Sequence, residues 1–238
     1  MKKMPNNTLF VTGTDTSVGK TYVCARLLEF LKNRNINGGY QKWIATGTEK
    51  RLPEDVNLCL GAAGISPGLE LVEQLAPYCF RFPASPHLAA EMEDRAVEPE
   101  VIIKNYQKLA AGYKWLIVEG VGGVMVPLRR DLLLVDLLAQ LQHRTLVVAR
   151  SGLGTLNHTL LTLEALRKRN VPVLGIVFSD AAIQEDERLV QDNMRTIEEI
   201  GLVRVFGRLQ RYQDTEKSQA AFMPIGQAIL EQLLHVKS

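Results

Sequence analysis

The sequence has few cysteines and no long hydrophobic run. Three cysteines, Cys24, Cys59 and Cys79, are spread over 238 residues, an odd number without a C-x-x-C spacing. A secreted disulfide scaffold needs many paired cysteines, so this pattern suits a reducing compartment and predicts a cytoplasmic protein. No apolar stretch approaches the roughly 18–20 residues of a membrane-spanning helix. Residues 1–7 start basic but soon turn polar, so we expect no signal peptide.

An excess of charge of one sign is also absent. The 28 Lys and Arg residues nearly balance the 26 Asp and Glu residues, which leaves a formal net charge of +2. This balance gives no reason to expect nucleic acid or an anionic membrane as the main partner. The hydrophobic fraction of 46% and the charged fraction of 23% are ordinary for globular proteins and exclude disorder and collagen-like structure. No repeat or linker divides the chain, so we expect one domain over residues 1–238.

Motifs of several common enzyme classes are missing. No cluster of His and Cys has the spacing of a zinc site, and no G-x-S-x-G motif or Cys–His arrangement indicates acyl transfer. His87 follows Ser85-Pro86 in an expected loop, and a structural role fits it better than catalysis. We expect His158 to be a packing or interface residue, Arg129-Arg130 to lie in a surface turn, and residues 167–169 to be a solvated helix end.

Short apolar segments alternate with longer amphipathic ones along the whole chain. Three of the apolar segments lack polar alternation, which is typical of strands covered on both faces in a parallel sheet. The sequence predicts strands at Thr8–Thr12, Gly39–Ile44, Trp115–Glu119, Thr145–Arg150, Val173–Ser179 and Val203–Gly207. It predicts helices near Lys20–Asn33, Pro99–Gly112, Leu132–Gln142, Leu156–Asn170, Asp186–Ile200 and Ile225–Val236. This order predicts an α/β fold, a doubly wound, mostly parallel sheet with helices on both faces, whose ligands bind at the carboxyl ends of the strands.

A glycine-rich loop joins the first predicted strand to the first predicted helix. It reads TGTDTSVGKT over residues 12–21. Backbone N–H groups in such a loop and at the helix N-terminus bind phosphate, Lys20 adds a positive charge, and the Thr21 hydroxyl can bind Mg²⁺. Five residues separate Gly13 from Gly19, whereas the general P-loop pattern has four. The loop is therefore a P-loop variant that predicts the binding of nucleotide phosphates.

Three charged residues accompany this loop. Lys42 comes late in the second predicted strand, where it could neutralise a phosphate or could be an ordinary surface lysine at a strand end. Asp55 follows Pro53-Glu54, and from position alone it could be a helix-terminal acid favoured by the helix dipole. Glu119 ends an apolar strand and precedes a glycine loop, which is the layout of a Walker-B-type metal carboxylate.

Five segments together resemble the family of ATP-dependent dethiobiotin synthetases. They are Gly13–Thr21, Lys42 with Thr46-Gly47, Ser85-Pro86-His87, Val118–Gly123 and Gly152–His158. They run in the family's order between residue 8 and about residue 180, and the spacing of five residues between the P-loop glycines is the one that this family uses.

The resemblance implies a Mg²⁺-dependent ligase of biotin biosynthesis that acts as a homodimer with its active site at the subunit interface. Its substrates would be 7,8-diaminononanoate (7,8-diaminopelargonate), CO₂ and ATP. One amine takes up CO₂ as a carbamate, the γ-phosphate is transferred to give a carbamic-phosphoric anhydride, and the second amine displaces phosphate to close the ring of dethiobiotin. A carbamate anion is a poor electrophile, so this transfer needs cations around the phosphate.

The same resemblance implies roles for individual residues. Lys42 and Lys20 would be catalytic, and Thr21, Asp55 and Glu119 would hold the metal. The residues expected at the nucleotide are Asp15, Thr16, Ser17, Val18, Gly19, Lys20, Thr21, Asp55, Glu119, Gly120, Val121, Gly122, Ser179, Asp180 and Gln210. Those expected at the diamine are Thr16, Lys42, Thr46, Gly154, Thr155, Leu156 and Asn157, of which the last four form a helix N-terminus that receives the substrate carboxylate from across the dimer.

The chain departs from the family's pattern at three places. Trp43 follows the catalytic lysine where the family usually has proline, a change expected to reshape the diamine pocket. Ser179 stands where the family usually has an asparagine that reads the adenine edge, and a hydroxyl cannot make that two-point contact. The usual proline near Gln210 is absent. We therefore expect recognition of the base to differ from that of the family.

The sequence argues against three other functions. A partner-switching ATPase of the chromosome- or septum-positioning type carries a second lysine early in the loop, where this chain has Asp15. A cobyrinate-type amide ligase needs an amidotransferase domain, for which 238 residues leave no room. A degenerate nucleotide sensor would not be expected to retain Lys20, Lys42 and Glu119 together.

Overall fold

Six strands form the central sheet of the protein. A computed structural model describes residues 7–68, 71–180 and 185–235. The strands of the main sheet are β1 (Thr8–Gly13), β2 (Gly38–Lys42), β5 (Trp115–Gly123), β8 (Arg144–Arg150), β9 (Val173–Ser179) and β10 (Val205–Leu209). Two small ribbons complete the strands of the described residues, with β3 (Ile44–Thr46) on β4 (Tyr78–Phe80) and β6 (Pro127–Arg129) on β7 (Leu132–Leu133).

The strand order places the P-loop at a reversal of the sheet. The order is β10-β9-β8-β1-β5-β2, and each neighbouring pair is parallel. β1 therefore lies between β5 and β8, and the chain leaves it at the point where the winding changes direction. In doubly wound sheets a crevice opens at this point, beyond the carboxyl ends of the strands.

Helices cover both faces of the sheet, as the sequence predicts. They are α1 (Lys20–Asn33), α2 (Glu54–Ala62), α3 (Val72–Leu75), α4 (Pro86–Glu91), α5 (Pro99–Ala110), α6 (Leu134–Leu141), α7 (Thr155–Lys168), α8 (Glu187–Gly201) and α9 (Thr215–His235). α1 packs against α2 and α9, whereas α7 packs against α6 and α8. The strands between these layers are buried: Leu116, Ile117 and Val118 of β5 are at most 1% exposed. Burial on both faces explains their continuous apolar sequence.

Several predicted boundaries are wrong. β5 continues past Glu119 to Gly123, so the expected glycine loop is the end of this strand, and β10 covers Val205–Leu209, two residues later than predicted. The predicted second strand is divided, because Ile44–Thr46 pairs with β4 and not with the main sheet. The helix predicted from residue 132 begins at Leu134, where the Asp136 carboxylate accepts a hydrogen bond from the Leu133 N–H at 3.1 Å. The last helix begins at Thr215, ten residues before its predicted start, and continues through Pro224.

The segment 46–84, which the sequence leaves without regular elements, contains α2, α3 and β4. α2 begins directly after Pro53, and the acids Glu54 and Asp55 occupy its first turn, where the helix dipole favours negative charge. This short helix packs against α1 and thereby reaches the P-loop. Across the described ranges, no helix has the length and apolar character needed to cross a membrane.

Candidate active site

The P-loop connects β1 to α1 through two left-handed residues. Ser17 has φ of 56° and Gly19, which caps α1, has φ of 96°. The Lys20 ammonium turns back and donates a hydrogen bond to the Asp15 carbonyl at 2.9 Å. A Cβ atom at Gly13 would lie 2.7 Å from the Val18 side chain and 2.8 Å from the Asp15 carbonyl oxygen, so only glycine fits there. The backbone is thus folded tightly around a concave surface that suits an anion.

Lys42 joins the two predicted metal carboxylates. The pairing of β2 with β5 sets Lys42 opposite Glu119. The Lys42 ammonium lies 2.5 Å from Glu119 Oε1 and 2.7 Å from Asp55 Oδ2. Thr21 Oγ1 donates a second hydrogen bond to Glu119 Oε1 at 2.9 Å. The structure therefore brings together four residues that are far apart in the sequence.

Tyr40 is a member of this network that the sequence did not single out. Its phenol donates a hydrogen bond of 2.7 Å to Glu119 Oε2, and both side chains are fully buried. Burial, followed by the nearby Cys59 and Glu119, raises the pKa of the Tyr40 phenol well above its ordinary value. Tyr40 therefore remains a hydrogen-bond donor. In a sequence, a tyrosine within a strand is normally interpreted as a core residue. Its position two residues before Lys42, on the same face of the strand, is the one signal that could have indicated this contact.

The two lysines of the site have opposite electrostatic environments. Burial, followed by the charge of Lys42, lowers the pKa of Lys20 to about 8. Burial also acts to lower the pKa of Lys42, but the charges and hydrogen bonds of Glu119 and Asp55 outweigh it and raise that pKa above 10.5. Lys42 is therefore held as a cation by its acidic partners. Glu119 and Asp55 also act to raise the pKa of Lys20, but they do not outweigh burial and Lys42. An anion bound in the loop would stabilise the charged form of Lys20.

The donor set formed by Thr21, Asp55 and Glu119 fits Mg²⁺. It offers one hydroxyl and two carboxylates close together, and Mg²⁺ is commonly bound by one or two carboxylates, with phosphate oxygens and water as its other ligands. Within the described residues, no group of three or more His, Cys, Asp and Glu side chains could hold an ion by itself. These residues suit a metal that arrives with a phosphate better than one held entirely by protein.

A cleft of about 1290 Å³ opens in front of these groups. The predicted residues that line it are Thr16, Ser17, Gly19, Lys20, Thr21, Lys42, Thr46, Asp55, Glu119, Val121, Gly122, Ser179 and Asp180. Four other residues expected at the nucleotide are not among the lining residues: Asp15, Val18, Gly120 and Gln210. The cleft is large enough for a nucleotide and a small second substrate, since ligand sites span about 300–1,000 Å³.

The end of the cleft at Ser179 and Asp180, where the base of the nucleotide is expected, has side chains that are already in contact with other residues. The Ser179 side chain packs against Gly19, where any Cβ would collide with it. The Asp180 carboxylate is occupied, because Arg208 binds it at 2.8 and 2.9 Å and the Ser151 hydroxyl donates to it at 2.6 Å. At this end the cleft wall also includes residues 211–213, which the sequence did not identify.

The predicted substrate helix lies apart from the cleft of this chain. Gly154 caps α7 with φ of 89°, and no atom lies within 4 Å of where its Cβ would be. Thr155 is buried, Leu156 is half-buried and Asn157 is exposed. Leu153, just before the turn, is 86% exposed. Gly154 and Asn157 are therefore exposed at the start of α7 whereas Thr155 is buried, and none of the four residues at 154–157 is among those that line the cleft.

Trp43 points into the core. Its ring is 1% exposed and packs against Phe10 at 4.7 Å and His143 at 6.5 Å between ring centroids. Its indole N–H donates to Gln41 Oε1 at 3.2 Å. The described residues that line the cleft do not include Trp43, so its side chain does not reshape the pocket directly.

The remaining isolated groups have ordinary structural roles. His87 lies in the first turn of α4, not in a loop, and its Nδ1 is 3.1 Å from Ser85 Oγ. The basic run at the end of α7 is not simply solvated. Arg169 donates to Asp136 at 2.7 Å, and Arg167 donates to the backbone carbonyl of Leu202 at 3.1 Å.

Comparison with known proteins identifies the family of this chain. A family model described as an AAA domain matches residues 7–219. The ATP-dependent dethiobiotin synthetase BioD of Methanococcus vannielii is 37% identical over 206 residues, which are 87% of this chain and 94% of that protein. The enzyme of the same name from Anoxybacillus flavithermus is 36% identical over 205 residues, covering 84% of this chain and 90% of the relative.

Two solved structures have a fold similar to that of this chain. The MinD cell division protein of Aquifex aeolicus has a TM-score of 0.56 and 12% identity, covering 97% of this chain and 96% of that one. A ParA family ATPase from Chlorobium tepidum has a TM-score of 0.54 and 14% identity, covering 97% and 99%. At such identities these neighbours show the fold alone.

The fold and the P-loop therefore define a nucleotide-binding protein of the P-loop NTPase class. Within that class, the chain belongs to the ATP-dependent dethiobiotin synthetase family. This family makes it an ATP-dependent enzyme of biotin biosynthesis.

Proposed function

We propose that this protein closes the ureido ring of dethiobiotin from 7,8-diaminononanoate, CO₂ and ATP, with release of ADP and phosphate. The observation that carries the proposal is the meeting of two lysines, two carboxylates and a hydroxyl in one cleft behind the P-loop. Family membership supplies the reaction, and this cleft supplies groups suited to it. We assign the activity to one domain over residues 1–238.

The P-loop is suited to hold the triphosphate. Backbone N–H groups between Asp15 and Lys20 and at the start of α1 would bind the phosphates, with Lys20 neutralising them. Gly19 lets the backbone approach closely, since its positive φ and its contact with Ser179 leave no room for a side chain. We assign the nucleotide to this loop and to the last part of β5 after Glu119, which includes Gly120, Val121 and Gly122.

Lys42 is suited to stabilise the phosphoryl transfer. The carbamate of the diamine attacks the γ-phosphorus, the bond to ADP breaks, and negative charge collects on the transferred group. A buried ammonium next to that charge is worth far more than one in water. Thr21, Asp55 and Glu119 would hold Mg²⁺, which when bound supplies further positive charge to the phosphates. Thr16 and Thr46 offer hydroxyl groups on the same cleft wall for the diamine.

Ring closure depends mainly on position. Once the carbamate is phosphorylated, the neighbouring amine of the same molecule attacks its carbon and phosphate leaves, which benefits from the high effective concentration of an intramolecular reaction. We assign the distal carboxylate of the diamine to the turn at Gly154, Thr155, Leu156 and Asn157 of a second copy of the chain. An open helix N-terminus attracts a carboxylate, and the exposure of this turn supports a homodimeric site.

Recognition of the base is assigned to the cleft end near Ser179 and Asp180, with Gln210 beside it. Gln210 Oε1 accepts a hydrogen bond from the Tyr212 hydroxyl at 2.7 Å, and the Asp180 carboxylate is paired with Arg208. These side chains are thus already engaged, which supports weak reading of the base. We place the reaction in the cytoplasm, which suits the three cysteines, all present as free thiols.

The test is the release of phosphate from MgATP with bicarbonate, in the presence and absence of 7,8-diaminononanoate, with mass detection of the ring-closed product. We expect release that depends on the diamine and matches product one to one. Release that ignores the diamine would contradict the proposal and would indicate a partner-driven ATPase.

A further inference from the structure

Tyr40 and Lys42 lie on the same face of β2. Side chains two residues apart on a strand point to the same side, and both of these reach Glu119 on the neighbouring strand β5. The thiols of Cys24 in α1 and Cys59 in α2 lie close to Glu119 and to Tyr40. The Glu119 carboxylate therefore has a phenol and thiols on its buried side, and its other side lines the cleft.

The two carboxylate oxygens of Glu119 accept hydrogen bonds from different donors. Oε1 accepts from Thr21 at 2.9 Å and from Lys42 at 2.5 Å, and it is the oxygen that faces the P-loop. Oε2 accepts from the Tyr40 phenol at 2.7 Å. The terminal torsion of a carboxylate has broad energy wells, so rotation of the group is set by its hydrogen bonds. An anchor on one oxygen therefore decides where the other oxygen points.

We propose that Tyr40 is a positioning residue of the active site. Its hydroxyl holds Oε2 of Glu119 so that Oε1 is presented to Thr21, to Lys42 and to the metal that these residues are proposed to bind. This role rests on the function proposed above. The Tyr40 hydroxyl would act only through Glu119, because Tyr40 is fully buried and does not line the cleft.

Without the hydroxyl, the carboxylate loses its anchor. Oε2 would become a buried acceptor that has lost its donor, and the group would turn to recover a hydrogen bond. Oε1 would then leave its place beside Thr21. Partners that orient metal ligands in this way typically change metal affinity or activity by about 10–100-fold when they are removed.

Tyr40→Phe and Tyr40→Leu separate this role from packing. Phe retains the ring and Leu does not, but both lack the hydroxyl. We expect both variants to weaken the binding of Mn²⁺, in the presence of a non-hydrolysable ATP analogue, by about tenfold and to a similar extent. Binding is measured by electron paramagnetic resonance of free Mn²⁺, and thermal unfolding is recorded for each variant.

A matched control is Tyr106→Phe. Tyr106 is equally buried, and its hydroxyl is 2.8 Å from Thr8 Oγ1, away from the cleft. This variant should retain the parent's Mn²⁺ affinity. The proposal is wrong if Tyr40→Phe binds Mn²⁺ like the parent, or if metal affinity falls from Phe to Leu in proportion to thermal stability, as a purely structural role requires.

The proposed reaction is tested separately from this role. A parent protein that forms the ring-closed product while Tyr40→Phe retains full metal affinity would overturn the role of Tyr40 alone. A parent protein without diamine-dependent turnover would overturn the proposed function, and the Mn²⁺ titrations would still decide whether Tyr40 orients Glu119.

Discussion

Lys42 is shared by two carboxylates. Glu119 is fully buried, so its charge needs a nearby cation, and Asp55 adds a second negative charge 2.7 Å from the same ammonium. A divalent metal would use oxygens of the same two side chains. Lys42 therefore acts as a resident cation in the proposed metal site, and metal binding has to compete with it.

Lys42→Met tests both roles of the lysine. We expect turnover to fall by at least about 100-fold, because a charge near the transferring phosphate is lost. Nucleotide should still bind, since the P-loop is unchanged. Affinity for Mn²⁺ without nucleotide should rise, because the competing ammonium is gone. Turnover is measured by product formation, nucleotide affinity by titration calorimetry, and Mn²⁺ affinity by electron paramagnetic resonance of free Mn²⁺.

The control for this variant is Lys50→Met. Lys50 lines the same cleft, but its side chain is 63% exposed and pairs with the surface acid Glu54. Its removal should leave turnover and Mn²⁺ affinity close to those of the parent. Near-normal turnover in Lys42→Met would remove that lysine from the mechanism, and an unchanged Mn²⁺ affinity would contradict the competition.

Ser179 leads to a prediction about the base. Its side chain packs against Gly19, and the neighbouring Asp180 is paired with Arg208. We expect ATP, GTP and CTP to differ in affinity by no more than about tenfold, the equivalent of roughly one hydrogen bond. Ser179→Ala should leave these ratios unchanged. Competition binding that shows a strong preference for ATP would mean that another group reads the adenine.

At the scale of elements, the sequence predicted the sheet well because its strands are continuous apolar segments. Lys20 and Glu119 line the same cleft, as expected, because parallel strands bring their carboxyl ends to one edge of the sheet. Position alone could not place Asp55 next to Lys42, since that contact depends on the packing of α2 against α1, and only the family resemblance assigned both residues to one site. Tyr40 could not be recognised either, because a buried tyrosine and a positioning tyrosine look alike in a strand.

The last helix shows a second limit. Proline normally ends or kinks a helix, so the sequence supports a start near residue 225. In the structure α9 begins at Thr215, and Pro224 lies inside it. The first part of the helix is anchored by contacts with α1, including a hydrogen bond between Ser218 and Tyr22. Such long-range contacts override a local signal.

The packing between α5 and the sheet contains a buried histidine. His143, just before β8, is 3% exposed, and its ring centroid lies 4.6 Å from that of Tyr106 in α5. Its Nε2 has no hydrogen-bond partner among the residues that the structure describes. Burial lowers the pKa of His143 to about 4, below its ordinary value of 6.5. The folded protein therefore keeps this imidazole neutral.

This burial predicts a dependence of stability on pH. Protonation favours the unfolded state, so the contribution is fully present above pH 6.5 and is lost as pH falls towards 4. Over that range the parent should lose about 3 kcal/mol more free energy of unfolding than His143→Leu. Urea unfolding of both proteins at several pH values measures the difference. Parallel pH profiles would contradict the prediction.

At the scale of the whole molecule, one chain carries the cleft, while residues 154–157 at the start of α7 are not among the residues that line it. If the turn serves the cleft of a second copy, damage to cleft and turn can be separated between two chains. Gly154→Asp suits this purpose, because aspartate tolerates a positive φ, the position is open, and the added carboxylate would repel that of the substrate.

Mixing two inactive variants should therefore restore activity. Lys42→Met lacks the cleft lysine and Gly154→Asp lacks the carboxylate site, so each alone should be nearly inactive. In an equal mixture after subunit exchange, half of the dimers are mixed and each contains one intact site. About a quarter of the parent's activity should return. Product assays on the mixture measure it, and no recovery despite exchange would exclude a shared site.

The core position of Trp43 gives the molecule a built-in optical probe. The chain has two tryptophans, and both are buried, but only Trp43 directly follows the proposed catalytic lysine, whereas Trp115 is at the far end of β5. A backbone shift of Lys42 that accompanies nucleotide binding would also move the adjoining residue Trp43. The emission of a Trp115→Phe variant would then report ligand binding in real time, without a dye and without a label in the cleft.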